Sequence, residues 1–177
     1  FGPPRSGKGW FLAVNLILDA VGAVITTSTR PDNLAMTLAA RTARGPVAVF
    51  DPQHLAPWAP GGLRWSPIRG CEDPQVAMVR ARGLAAGSGL GGANVSEGNF
   101  WLGLTESVLR GMLHAAALDN RSAEDLYRWS LDPAAAREAA RILESHINAA
   151  RGWGSALNSI IDSDPRSRDS VWHGVRQ

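Results

Sequence analysis

The chain has 177 residues, 45% apolar and 19% charged, with a net charge of +2 at neutral pH. These values describe a globular chain of one good-sized or two small domains and exclude a disordered or collagen-like one. No apolar run is long enough to cross a membrane. The single cysteine, Cys71, excludes an internal disulfide and a cysteine-cluster metal site, and His54, His114, His146 and His173 have no ligand spacing of the HExxH kind.

The chain opens on Gly2-Pro3-Pro4-Arg5-Ser6-Gly7-Lys8-Gly9, which fits the phosphate-loop pattern GxxxxGK until its last position. There Gly9 stands where a serine or threonine is expected. Such a loop works because backbone N–H groups turn inward on the phosphates while the lysine bridges the outer ones. Of the 18 basic residues 17 are arginine, and the one lysine is Lys8. The missing hydroxyl is normally a magnesium ligand. Either a water fills that place, or nucleotide binds and hydrolysis is weak. Only Phe1 precedes the loop, so the chain reads as an excerpt of a longer polypeptide.

Lys8 to Ala20 is apolar on nearly every face, the pattern of a helix buried against a sheet. Residues 23–27, Ala-Val-Ile-Thr-Thr, are β-branched enough for a buried strand. Residues 28–32 turn the chain, and a helix with Leu34, Leu38 and Arg41 on its stripe runs to about Arg44. Gly45-Pro46 stops it, and residues 47–50 make a second short strand closed by Asp51-Pro52. Loop, helix, strand, helix, strand is the order of a parallel α/β sheet. Asp51 is the one candidate for the acidic residue that holds magnesium and orients water, although Asp-Pro is also a plain turn signal. The catalytic residues of any hydrolysis are not legible, and no side-chain set for a metal stands out.

A Pro/Gly-rich connection with Trp58 and Trp65 leads to a boundary near residue 70. Beyond it the pattern is helical. Residues 74–86 form a helix, and 87–99 a glycine-rich loop, either a disordered tip or a contact that orders on binding. Helices then follow over 100–118, from Ser122 with Asp125 as a capping box, from Asp132-Pro133 with proline at the favoured first position, over 153–161 and over 164–177. Trp101 and Trp129 lie on helical stripes and read as core rather than as platforms for bases. Residues 1–70 hold seven basic and three acidic side chains and the remainder eleven and thirteen, an asymmetry that permits nucleic-acid contact.

GPPRSGKG, AVITTSTRPDNL, PVAVFDPQ and LRWSPIRGC, in that order, resemble the coupling proteins of type IV secretion and conjugation, the TraG/TraD-like DNA-transfer ATPases. In that family the loop commonly ends in glycine, and an all-α domain interrupts the nucleotide-binding domain. The resemblance implies a P-loop (RecA-like) α/β portion with parallel strands over 1–70, an all-α insertion over 71–163 and a return helix over 164–177. FWLGLTESVLRGMLHAAAL resembles an early helix of that insertion.

It further implies ATP and Mg2+ as cofactors, held by Gly2, Arg5, Ser6, Gly7, Lys8 and Gly9, with Arg30, Asp32 and Asp51 on the second-motif positions. The implied activity is a motor at the cytoplasmic face of the bacterial inner membrane. Assembled as a homo-hexamer, it would deliver a relaxase-bound single DNA strand to a secretion channel, with the relaxosome protein docking on the helices. Two other readings come from the residues: a helical recognition module with a vestigial loop, and an unrelated P-loop kinase, which the large helical block disfavours.

Overall fold

The computed structural model describes residues 6–59, 62–88 and 95–176. Two compact units divide the chain, Phe1–Trp65 and Ser66–Gln177.

In the first unit a π-helical turn, Gly9–Ala13, runs directly into α1, Val14–Asp19, and α2 spans Asp32–Thr42. Only Val14 and Ile17 of the first helical run are buried, while Trp10, Phe11, Leu12 and Leu16 are exposed. Two arginines, Arg41 in the last turn of α2 and Arg44 just after it, hold the end of α1. Arg41 donates to the carbonyls of Ala20 and Gly22, each at 2.7 Å, and Arg44 to those of Leu18 and Ala20. The last carbonyls of a helix have no partner within it, and cationic side chains there satisfy them and oppose the helix dipole.

The expected RecA-like α/β portion with parallel strands is absent. No strand occurs among the described residues, and 23–28 and 46–50 carry no sheet ladder. Among the described residues, one backbone bond of this kind is made by residues 47–50, from the Leu63 N–H to the Val49 carbonyl. Ile25 is 97% exposed and Phe50 57%. The physical reason is that β-branched content fits a residue to a pleated surface but does not make a strand. A strand exists only through a neighbour that takes its N–H and C=O groups along its length, and neither segment has one among the described residues.

The second unit is a closed helical assembly. Its helices are α3 Pro74–Gly87, α4 Val95–Leu118, α5 Ala123–Leu131, α6 Pro133–Ser145, α7 Trp153–Ile161 and α8 Pro165–Arg176. Their starts are written in local chemistry. Asp73 accepts the N–H of Gln75 ahead of Pro74, and Asp132 that of Ala134 ahead of Pro133. Ser122 and Asp125 form the reciprocal capping box, and Gly152, at φ +79°, opens α7 in a conformation that costs other residues dearly. α4 begins five residues before the expected Phe100, and residues 89–94 of the glycine-rich loop read over 87–99 lie outside the described residues.

α4 is the hub, contacted by α3, α5, α6, α7 and α8. Ala77, Ala81 and Ala85, four apart on α3, are all buried, small enough to bring the two helices close. Trp129 and Trp172 are fully enclosed, and the indole N–H of Trp172 donates to the Trp129 carbonyl at 3.3 Å. The Trp129 indole donates to Glu138 at 3.1 Å, and Glu138 also receives Arg128 and Arg121. The buried indoles thus have partners for their N–H groups, as such groups require. Trp101 packs partly buried against the same core.

Two expectations follow. A Cβ at Gly154 would lie 2.7 Å from Glu144 Cγ and 3.0 Å from the Ala140 carbonyl, whereas one at Gly103 meets nothing within 4 Å. Gly154→Ala should therefore lower the unfolding free energy by about 1–3 kcal/mol, and Gly103→Ala should raise it by up to about 1 kcal/mol, both read from chemical melts. The hydrogen bonds from Arg128 and then Trp129 hold the Glu138 carboxyl below its ordinary 4.5. Its stabilisation is therefore present above that value and lost as pH falls through the depressed one. Thermal melts from pH 6 downward should show a shallower acid loss in Glu138→Gln than in the wild type.

Candidate functional site

The described part of the loop begins at Ser6, which is exposed; Gly2 and Arg5 lie outside the described residues. Gly7 adopts φ +76°, in the left-handed region where only glycine is at ease. A Cβ there would also meet the Phe11 ring at 2.6 Å. The Gly7 carbonyl accepts the Phe11 N–H at 2.9 Å, so the helical run is launched from this residue. Lys8 already has helical angles, φ −52° and ψ −40°. The sequence Gly7-Lys8-Gly9 is therefore a left-handed turn passing at once into a helical start. The first turn is π-helical rather than α, with the Val14 N–H reaching the Gly9 carbonyl; such widened turns recur at functional sites.

Gly9 faces α2. Among the described residues, apart from its own helix backbone and chain neighbours, the atom within 4 Å of an ideal Cβ at position 9 is Asn33 Oδ1, at 3.2 Å. Asn33 sits in the first turn of α2, directly after the second-motif residues. Its backbone carbonyl accepts the Thr37 hydroxyl at 2.7 Å, and no hydrogen bond from its side chain to another described residue occurs. The loop and the start of α2 are thus brought together, through a residue that sequence reading passed over. Its adjacency to Arg30-Pro31-Asp32 was the only available signal.

The other candidates serve their own surroundings. Arg30 and Asp32 pair with each other at 2.9 Å, with side chains 77% and 48% exposed. Asp51 accepts the N–H groups of Leu55 at 2.9 Å and Ala56 at 2.8 Å. These bonds, Ala56 first, hold its carboxyl below the ordinary aspartate value. Asp51 thus closes the turn after residues 47–50, the plainer of its two readings.

Between the two unpaired segments and α2 lies a groove of about 900 Å3, lined by residues 21–28 and 45–51 and by Leu34, Thr37 and Leu38. Arg41 and Arg44 also line it, but their guanidinium groups are engaged by the α1 carbonyls. The sequence places Arg41 on the helix stripe and Arg44 near the helix end but holds no sign of the carbonyls they meet, 21 positions away at Ala20 and 26 at Leu18. No group of three or more His, Cys, Asp or Glu side chains suited to a metal occurs among the described residues.

In the second unit His114 is fully buried with both ring nitrogens engaged. Nδ1 lies 2.7 Å from the Cys71 carbonyl, and Nε2 accepts the Ala150 N–H at 3.1 Å. A carbonyl can only accept, so the proton sits on Nδ1. Trp153 packs edge-on at 5.2 Å, with the Arg110 guanidinium 5.0 Å from its ring centre. This is a cross-brace, and it leaves no ring nitrogen for a ligand. Burial raises the thiol pKa of Cys71, partly opposed by Arg80, which makes it a poor nucleophile.

No protein-family model matches the chain, and neither a curated protein nor a solved structure matches it.

Arg41 forks onto carbonyls that a lysine could meet only one at a time. Arg41→Lys should loosen the end of α1 by about 1.5 kcal/mol. Hydrogen exchange followed by mass spectrometry would read this as roughly tenfold faster exchange over residues 14–22.

Proposed function

We propose that the chain is part of a coupling protein of type IV secretion or conjugation, in which an ATP-dependent loop works beside a helical substrate-recognition unit. The observation that carries the reading is the Gly7-Lys8-Gly9 turn. A left-handed glycine followed at once by a helical start is the backbone that a GPPRSGKG loop needs to turn its N–H groups on phosphate. Support also comes from the order of the four motifs along residues 2–71. In this reading Gly2, Arg5, Ser6, Gly7 and Gly9 bind through backbone groups, and Lys8 neutralises the outer phosphates. Magnesium, when bound, offsets the charge of the phosphates. The assembled protein is a homo-hexamer on the cytoplasmic face of the inner membrane. Its helical unit receives a relaxase or relaxosome protein, and the single DNA strand follows.

A second reading has an observation of its own. The helical unit encloses its core, whereas Phe11, Val21 and Ile25 of the first unit stand exposed. Here the helices alone are functional, recognising a substrate protein beside a vestigial loop.

Binding of a fluorescent ATP analogue to the full chain separates the two. The wild type should bind, and Lys8→Ala should weaken binding by about ten- to a hundredfold through loss of a charge-assisted contact. Absence of binding by a chain whose circular dichroism shows it folded overturns the first reading in favour of the second.

A further inference from the structure

We propose that Asn33 supplies the side-chain oxygen that the loop lacks at Gly9, as a ligand of the nucleotide-bound magnesium, directly or through one of its waters. The inference rests on the nucleotide-loop reading above and goes beyond it by naming a residue outside the motif.

Three observations converge on this residue. At position 9 the usual hydroxyl would stand on a Cβ, and that Cβ would lie 3.2 Å from Asn33 Oδ1. The amide oxygen therefore stands beside the place that a serine or threonine side chain would fill. The two cannot share that space comfortably, so glycine at 9 is what leaves room for asparagine at 33. Second, Asn33 does not do what an asparagine near a helix start ordinarily does. The residue preceding α2 is Pro31, with no side-chain cap bond, and the Asn33 amide bonds no other described residue. Third, Asn33 lies in the first turn of an eleven-residue helix whose far end is anchored by Arg41 and Arg44 to the α1 carbonyls. Those bonds help keep the start of α2 in place against the loop.

The chemistry suits the assignment. Magnesium prefers hard oxygen ligands and keeps several waters, so one neutral amide oxygen replaces one neutral hydroxyl without altering the charge of the site. The other second-motif side chains are less available, since Arg30 and Asp32 are paired with each other.

The test measures binding of a fluorescent ATP analogue to the full chain, with magnesium and with a chelator, and Mn2+ binding in the presence of a non-hydrolysable analogue by water-proton relaxation. The wild type should bind more tightly with magnesium. Asn33→Ala should lose that gain, with Mn2+ affinity down about tenfold or more, while Asn33→Asp keeps it. Adding Gly9→Ser to Asn33→Ala should restore it, because the hydroxyl then has both its place and its room. An Asn33→Ala chain that keeps the full magnesium gain overturns the proposal, as does one that loses metal-free and metal-dependent binding alike. A folded wild type that binds no nucleotide overturns the nucleotide reading itself, and this inference with it.

Discussion

The helical unit depends on one constraint, the enclosure of α4. Residues 111–117 of that helix are buried without interruption, so every face of two turns must be covered by other helices. α3, α5, α6, α7 and α8 meet that demand. The polar side chain within residues 111–117 is His114, and it is satisfied from opposite directions by the Cys71 carbonyl and the Ala150 N–H. A buried imidazole with both nitrogens bonded costs little to bury and ties two distant connections to one helix. The Trp129–Trp172 contact and the Glu138 ion pairs extend the same logic toward α5, α6 and α8.

The first unit follows a different principle. It buries few large side chains, and its order comes from backbone groups met by side chains. Arg41 of α2 and Arg44 just after it take carbonyls at the end of α1, Asp51 takes two N–H groups of its own turn, and Gly7 turns the chain into the first helix. Such contacts shape a loop well, since each fixes a direction as well as a distance. They leave Val21, Ile25 and Phe50 in water and a groove beside α2, so the unit's apolar surface is far from exhausted by its own packing.

The chain thus joins a unit governed by apolar enclosure to one governed by backbone satisfaction. In the proposed reading, the phosphates of a bound nucleotide would lie against the Gly7-Lys8-Gly9 turn, and Asn33 would supply a side-chain oxygen at the same place. Recognition of a protein substrate would fall to the exposed faces of the helices, where the charged residues of both signs are interspersed.

Local chemistry was legible in the residues alone. Ser122 with Asp125 and Asp132-Pro133 announce helix starts through groups at most three positions away, so a short window contains the whole interaction. The core positions of Trp101 and Trp129 were legible for the same reason, since helical period is a local property. What tertiary structure alone decided lies at long separation. Residues 23–27 have strand composition and no strand, because pairing needs a partner that composition does not name. Asn33 approaches Gly9 across 24 positions, Arg41 reaches Ala20 across 21, and His114 bridges Cys71 and Ala150 across 43 and 36. Each is set by how packed helices bring remote backbone groups within hydrogen-bond reach, which the residues on either side of one position do not encode.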